Sequence, residues 1–258
     1  MLPLRDENPT RRVPVVTVLL ILANVAVYFL VQPSGEDVTA STTFSLERAA
    51  IPCEVVEGRP LTLDELRATY GGPADDTACN VGSPESPRPF ADKNVLLAVL
   101  TSMFLHGSLL HLGGNLLFLW IFGNNVEDRL GPVPYALFYL AAGVVATAAH
   151  IAVQPDSTVP VVGASGAIAG VMGAYLVWYP NAPILALFVI FFREVRAKWL
   201  LAFWVALQFV EPFNPNSGVA WVAHVGGFVF GVLVALVLRA LGGARPGPRL
   251  PSFGSPYR

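Results

Sequence analysis

The chain has 258 residues, of which 54% are hydrophobic and 13% charged, with a formal net charge of -2 and a mean hydropathy of +0.57. These values exclude an ordinary soluble globular domain and are typical of a protein that crosses a membrane several times. We therefore expect the protein to lie in a lipid bilayer, and we expect no nucleic-acid partner.

Six apolar segments predict an all-α fold, a polytopic membrane protein built as a bundle of six transmembrane helices. Five are long enough to cross a hydrocarbon core of about 30 Å, and the fourth is shorter. We expect a membrane domain at 13–240 that includes a long loop at 32–93, flanked by a tail at 1–12 and a disordered, Pro- and Gly-rich tail at 241–258. The segments lie at 13–31, 108–126, 133–153, 165–179, 198–212 and 219–240.

The distribution of Lys and Arg predicts that both tails are cytoplasmic. With successive segments assigned to alternate sides, 11 of the 16 Lys and Arg lie on the side of the tails, and positive charge accumulates on the cytoplasmic side of a membrane. The first segment follows Arg11 and Arg12 and has no cleavage motif after it, so we expect it to be retained. These features predict a multi-pass protein of the cell membrane, either an inner or a plasma membrane.

The loop at 32–93 is acidic, with 11 Asp and Glu against five Lys and Arg. Thr62 and Glu65 have the spacing of a helix capping box, which predicts a short helix on the outer membrane surface. The two cysteines of the chain, Cys53 and Cys79, both lie in this loop. They can form an intramolecular disulfide in an oxidising compartment, and two free thiols are the alternative.

The fourth apolar segment begins with the small residues GASGAIAG at 163–170. A helix that starts at Ser165 and ends at Tyr179, before Pro180, has about 15 residues and a length of roughly 22 Å, less than the thickness of the hydrocarbon core. Its N-terminus would lie below the outer surface, where irregular backbone is tolerated only when protein buries it or water reaches it. Taken alone, the glycines can equally form a small-residue face for helix packing.

Three other polar residues come to the depth of Ser165 in this topology. His224 shares a helical face with Gly227 and Gly231, at spacings of three and seven, so its helix can approach another closely. His111 and Asn115 are four residues apart and share one helical face at the start of the second segment. Polar side chains are costly in a membrane and usually face the bundle interior or a watery cavity, so the cluster is a candidate active site that opens to the outer side.

These four residues have the chemistry of acyl transfer to water. Ser165 supplies a nucleophile, and His224 can take its proton and return it to the leaving amine. No Asp or Glu lies near either residue in sequence, so we predict a Ser–His dyad rather than a triad. Asn115, His111 and the N–H of Ser165 can stabilise the oxyanion of the tetrahedral intermediate.

Four motifs, taken together and in this order, resemble those of the rhomboid intramembrane serine proteases of the six-span bacterial type. The resemblance covers the chain from the first to the last apolar segment. The motifs are His106, His111 and Asn115 at spacings of five and four, GNNVEDRLG at 123–131, GASG with Ser165, and AHVGG with His224.

The resemblance implies a serine endopeptidase, a hydrolase that cleaves peptide bonds in or near the transmembrane segments of other membrane proteins, without a cofactor or a metal. Entry of a substrate helix would require part of the bundle to open, and the fifth segment is the candidate gate because its flanks, FREVRAK and EPFNPNSG, are polar or irregular. The implied nucleophile, general base, oxyanion hole and supporting residues are, in that order, Ser165, His224, His111 with Asn115, and His106, Gly163 and Gly166.

Two features depart from the family pattern. Several members carry an aromatic residue four positions after the serine, stacked on the histidine, whereas this chain has Ala169 there. Another side chain must then support His224. A Trp–Arg pair is common in the first outer loop of relatives, yet no Trp occurs in the loop at 32–93.

Three other functions remain alternatives. A catalytically silent rhomboid-like protein would bind transmembrane helices without cleaving them. A metal site made of His106, His111 and His224 would lack a carboxylate ligand or a second short-spaced ligand pair. A transporter or channel is disfavoured because the polar residues cluster near one face of the membrane and no internal repeat is visible.

Overall fold

A computed structural model describes residues 2–33, 37–72, 76–188, 190–213 and 218–242. Within these ranges the fold is mostly helical, with ten α-helices and one small sheet. Most of the C-terminal tail predicted to be disordered, from residue 243 onward, lies outside the described residues. The helices are α1 Val15–Ala26, continued by a π-helical turn at Val27–Val31, α2 Val38–Arg48, α3 Pro52–Glu57, α4 Leu63–Tyr70, α5 Val95–Ser102, α6 Leu109–Leu130, α7 Pro132–Val153, α8 Ser165–Trp178, α9 Ala197–Gln208 and α10 Trp221–Ala240.

The predicted all-α fold is incomplete, because three strands form an antiparallel sheet in the order β1-β2-β3. Leu2 lies opposite Leu187, and Pro183 lies opposite Arg196. The third strand, FFREVR, is rich in aromatic and β-branched residues, which favour strands. The first strand, LPLRD, contains none, and its pairing joins the N-terminus to a segment more than 170 residues later, which no local pattern reveals. The strands are β1 Leu2–Asp6, β2 Pro183–Phe188 and β3 Phe191–Arg196.

Asp6 joins the first strand to the helices. Its carboxylate accepts a hydrogen bond of 2.8 Å from the hydroxyl of Tyr175 in α8 and another from the amide of Asn125 in α6. Asn8 donates to the same Asn125 side chain at 2.7 Å. Burial raises the pKa of Asp6 to about 7, against the lowering effect of the hydrogen bonds from Asn8 and Tyr175. The N-terminal segment is therefore bonded to the core of the bundle.

Glu127, within the GNNVEDRLG motif, holds the start of the first helix. Its carboxylate accepts hydrogen bonds of 2.8 Å from the backbone N–H groups of Val16 and Thr17, and a third of 2.8 Å from the Thr17 hydroxyl. The first N–H groups of a helix have no partner within the helix, and negative charge is favourable at that end. Glu127 of α6 therefore acts as the N-terminal cap of α1.

The helix α8 lies at the centre of the bundle, since eleven of its fourteen residues are buried. It packs against α10, α7 and α6. Glycines permit the closest of these approaches, because a Cβ at Gly231 of α10 would collide with the backbone of Gly170 in α8. As predicted, this helix starts at Ser165 and ends just before Pro180, and its fourteen residues give a length of about 21 Å.

Length and composition identify fewer membrane spans than the sequence predicted. Among the described residues, the helices long and apolar enough to cross a membrane are α7 and α10. The helix α6 has 22 residues, but its second half carries the polar motif GNNVEDRL. The helices α1, α8 and α9 are apolar and shorter.

A compact unit, here called the cap, consists of residues 37–72 and 76–94 and contains α2, α3 and α4. Cys53 and Cys79 form a disulfide within it, with 5.7 Å between their Cα atoms. The predicted capping box is confirmed, since Thr62 and Glu65 exchange side-chain and backbone hydrogen bonds at the start of α4. Its small apolar core contains Leu46, Ile51 and Leu61.

Two ion pairs, one half-buried and one buried, stabilise the cap. Arg59 forms a two-pronged pair with Glu65, at 2.9 and 2.8 Å. Burial raises the pKa of the Glu65 carboxyl, but the hydrogen bonds from Arg59 and from the N–H groups of Thr62 and Asn80 outweigh it and bring the pKa to about 2. Glu65 is therefore ionised at any physiological pH. The second ion pair joins Lys93 to Glu54, at 2.5 Å.

Candidate active site

Ser165 and His224 face each other where α8 begins. The serine Oγ lies 2.8 Å from the Nε2 atom of His224. This approach depends on small residues, because a Cβ at Gly227 of α10 would collide with the backbone of Gly166 in α8. His224 lies about one turn before Gly227, so the close helix contact brings its imidazole to the serine. A hydroxyl hydrogen-bonded to an imidazole has the chemistry that nucleophilic catalysis by serine requires.

The residue that supports His224 is Gln208, at the end of α9. Its Oε1 lies 2.7 Å from the Nδ1 atom of His224, and its side chain is 6% exposed. The ring of Trp204, one turn earlier in α9, lies 5.7 Å from the imidazole ring, centroid to centroid. The sequence predicted a substitute for the aromatic absent at Ala169 but did not identify it. The available signal was a glutamine at the end of an otherwise apolar segment.

His111 and Asn115 lie in the first turns of α6, whose N-terminus is capped by the Ser108 side chain. A Cβ placed on Gly163 would lie 2.8 Å from the His111 ring and 3.5 Å from the Ser165 Oγ. His111 is therefore next to the backbone that leads into Ser165. Gly163 also has a backbone φ of 126°, a value that residues with a side chain rarely adopt.

Asn115 is 7% exposed. Its Nδ2 has no hydrogen-bond partner among the residues that the structure describes. A buried donor without a partner costs free energy, so such a group calls for an explanation. A ligand oxygen bound at this position would satisfy it.

His106 lies behind His111, with 5.2 Å between the two ring centroids in an edge-to-face arrangement. It is 2% exposed. Its backbone N–H and carbonyl both bond the side chain of Gln32, each at 3.0 Å. His106 therefore contacts the site through His111, and Gln32 ties this turn to the end of the first helical segment.

The cap is hydrogen-bonded to the chain that enters the site. The Ser102 hydroxyl accepts from the N–H of Ala50 at 2.6 Å, and the Ser102 carbonyl accepts from the N–H of Gly163 at 2.9 Å. Cys53 of the disulfide donates its N–H to the carbonyl of Ser157 at 2.9 Å. The position of the segment preceding Ser165 thus depends on the cap.

A metal has few candidate ligands. Within the described ranges, one group of His, Cys, Asp and Glu side chains is close enough to hold an ion, and it consists of Cys53, Cys79 and Glu65. Both sulfurs of this group are in the disulfide, so they are not thiolate ligands.

The fold and the site combine a bundle of apolar helices with a Ser–His pair at the start of its buried central helix. Residues 93–241, more than half of the chain, match the sequence model of the Rhomboid domain. The chain belongs to the rhomboid family, which is membrane-embedded and includes serine proteases.

Three relatives illustrate the range of the family. Rhomboid protease GluP of Bacillus subtilis (strain 168) is 33% identical over 157 residues, 57% of this chain and 28% of that protein. The mitochondrial presenilin-associated rhomboid-like protein of Bos taurus is 30% identical over 144 residues, 55% of this chain and 38% of that protein. The mitochondrial RHOMBOID-like protein 6 of Arabidopsis thaliana is 26% identical over 226 residues, 86% of this chain and 68% of that protein. The first two matches thus cover less than half of the relative's length.

Proposed function

We propose that this protein is an intramembrane serine endopeptidase that hydrolyses peptide bonds in or near the transmembrane segments of other membrane proteins. One observation carries the proposal, the 2.8 Å hydrogen bond between Ser165 Oγ and His224 Nε2. The pair lies at the N-terminus of a short central helix in a membrane-embedded family that includes serine proteases. Rhomboid membership alone would also fit a catalytically silent binder of transmembrane helices.

In the proposed reaction, His224 takes the proton of Ser165 as the Oγ attacks the carbonyl carbon of the scissile bond. The resulting tetrahedral intermediate collapses, the C–N bond breaks, and the imidazolium returns the proton to the leaving amine. Water then attacks the acyl-serine ester with His224 again as the base, which releases the new carboxyl group and restores the serine hydroxyl.

The oxyanion of the intermediate would be bound by Asn115, His111 and the backbone N–H of Ser165. Preorganised donors of this kind act strongly in a water-poor site, because they need no reorientation during the reaction. The Nδ2 of Asn115 has no hydrogen-bond partner in the described part of the chain, which supports this role. Gly163 and Gly166 would act by permitting close approach, Gly163 of the His111 ring and Gly166 of Ala146 in α7. His106 would act by backing His111.

The proposed topology has six spans, supplied by α1, α6, α7, α8, α9 and α10, with both tails in the cytoplasm and the site opening to the outer side. The cap then lies outside, and its disulfide suits an oxidising compartment. We assign the protein to a cell membrane on the distribution of Lys and Arg. Two of the compared relatives carry the word mitochondrial in their names, so fractionation of the native host is the direct test.

Substrate helices would enter beside α9, the proposed gate. This helix has 12 residues and a length of about 18 Å. It packs against the other helices less extensively than α8 or α10 does. Trp199, Phe203 and Leu207 are exposed apolar side chains along it. Such a surface suits contact with lipid or with an incoming transmembrane helix.

The test is cleavage of a model transmembrane substrate by purified protein in liposomes. Ser165→Ala and His224→Ala should each reduce cleavage by about a thousandfold or more, while Ser41→Ala, a change in the cap helix α2, should leave it unchanged. Thermal unfolding in detergent checks that each variant is folded. Cleavage that survives in Ser165→Ala would overturn the mechanism, and a wild-type protein that binds the substrate without cutting it would favour the silent binder.

A further inference from the structure

The orientation of the Gln208 amide is set by its own helix. Its Nε2 donates a hydrogen bond of 3.0 Å to the backbone carbonyl of Trp204, one turn earlier in α9. Its Oε1 therefore faces the other way and lies 2.7 Å from Nδ1 of His224. The opposite orientation would bring two oxygens into contact and lose the bond to the Trp204 carbonyl.

This orientation selects one tautomer of His224. A glutamine oxygen only accepts hydrogen bonds, so Nδ1 of His224 carries the proton. Nε2 is then the unprotonated nitrogen, and it lies 2.8 Å from the Oγ of Ser165. The serine hydroxyl therefore donates to the imidazole, as a general base requires.

We propose that Gln208 is a positioning residue, which holds His224 in the tautomer and orientation needed to take the proton of Ser165. The inference rests on the proposed protease function and extends the dyad by a third group. In Ser–His–Asp sites a carboxylate fixes the histidine in this way. Here a neutral amide supplies the same acceptor without adding a charge to a buried site.

The same helix supplies the aromatic support. The Trp204 ring is tilted by 40° to the His224 ring at a centroid distance of 5.7 Å. Position 169 of α8, where several family members have an aromatic residue, is occupied by the fully buried Ala169. Gln208 and Trp204 both belong to α9, so a displacement of α9 would alter the support of the base.

A glutamine that only fills a buried site would give a different result on substitution. Its loss would lower stability, and the remaining folded protein would keep the wild-type kcat and pH profile. A positioning role instead predicts a change in kcat, because the proton transfer is impaired after the substrate is bound.

The experiment compares Gln208→Leu, which removes the acceptor, with Gln208→Glu, which keeps it and adds a charge. Gln154→Leu, at an exposed position after α7, is the matched control. Cleavage of the transmembrane substrate is measured for kcat and KM across pH. Labelling by a fluorophosphonate is measured in parallel: the Ser165 Oγ bonds to phosphorus, fluoride leaves, and the proton passes to His224.

For Gln208→Leu we expect kcat and the labelling rate to fall about tenfold or more with little change in KM. This loss is smaller than the full contribution of a general base, because His224 itself is still present. For Gln208→Glu we expect activity to be largely kept and the acidic limb of the pH profile to move to higher pH, since a carboxylate stabilises the imidazolium. Unchanged kcat and pH profile in both variants would overturn the role of Gln208 and leave the dyad intact. A failure of the dyad mechanism itself would be seen separately, because Ser165→Ala would then retain activity.

Nitrogen-15 spectra of the histidines provide a readout that needs no substrate. The chain has four histidines, so the His224 signals can be assigned by a His224→Asn comparison. We expect the Nδ1–H tautomer in the wild type and a mixture of tautomers in Gln208→Leu. A wild-type His224 with its proton on Nε2 would contradict the proposal.

Discussion

Glu54 and Lys93 form an ion pair inside the cap, with side chains only 2% and 1% exposed. Burial raises the pKa of Glu54 and lowers that of Lys93, and in each case the partner opposes the shift. The backbone completes the site, since Leu61 donates its N–H to Glu54 and Lys93 donates to the carbonyl of Leu46. Each charge is therefore tolerated only because the other is present.

Removing one partner should destabilise the protein strongly. Lys93→Met leaves the Glu54 charge buried without its counter-ion, and we expect a loss of about 3–5 kcal/mol in the free energy of unfolding. The double variant Glu54→Leu/Lys93→Met should recover part of this loss, because both charges are gone while the buried N–H of Leu61 loses its acceptor. Denaturant unfolding in detergent measures all three proteins.

The exposed pair Arg48 and Glu47 supplies the control, with side chains 57% and 44% exposed. Arg48→Ala should change stability by less than about 1 kcal/mol. A double variant as unstable as Lys93→Met would contradict the interpretation, since it would show that packing rather than charge controls the site.

The disulfide gives a second prediction. Cys53→Ser/Cys79→Ser removes a cross-link that spans 26 residues, and the chain-entropy relation gives a loss of roughly 3.5 kcal/mol. The N–H of Cys53 donates to the carbonyl of Ser157, in the segment that leads to Ser165. A looser cap should therefore also lower the rate of fluorophosphonate labelling at Ser165. Labelling equal to the wild type, with the cap destabilised, would show that the cap and the site are independent.

The sequence predicted those features that local patterns encode. The start of α8 follows from the small residues before Ser165, and its end from Pro180. The capping box at Thr62 is likewise a pattern within four residues. Helical periodicity placed His224 on the glycine face of its helix, and the structure brings it to Ser165.

Features that depend on distant pairing were not predicted. Gln208 reaches His224 across the connection between α9 and α10, and no spacing rule relates two residues in different helices. The strand Leu2–Asp6 pairs with a partner more than 170 residues later in the chain, so its sequence gives no register. Non-local contacts of this kind need the three-dimensional arrangement of the whole bundle.

Asp6 predicts a pH dependence at the N-terminal strand. Burial raises its pKa from 3.8 to about 7, so in this interval the folded protein holds a proton that the unfolded chain has released. The contribution of Asp6 to stability should therefore be fully present below about pH 4 and be lost as the pH rises to about 7. Asp6→Asn should remove this slope, and hydrogen exchange of residues 2–6 at several pH values measures it. A slope that persists in Asp6→Asn would have to come from another group.

Gly231 tests the contact between the two central helices. In Gly231→Ala the new Cβ meets the backbone of Gly170, which cannot move without separating α10 from α8. We expect a destabilisation of about 1–3 kcal/mol and slower labelling of Ser165, because His224 is carried on α10. Gly113→Ala, at an exposed helical position with nothing within 4 Å of the new Cβ, is the control. It should be neutral or stabilising by up to about 1 kcal/mol.

The role of Asn115 can be separated from the packing of its side chain. Asn115→Asp keeps the shape but replaces the amide donor with an oxygen, and Asn115→Ala removes the side chain beyond Cβ. If Nδ2 binds the oxyanion, both variants should lose about a hundredfold to a thousandfold in kcat, with KM little changed. Cleavage kinetics in liposomes measure this loss. An Ala variant that retained wild-type kcat would exclude the donor role, because it has no side-chain N–H or O–H group to donate. Equal losses in the two variants, with equal thermal stability, would identify the missing donor as the cause.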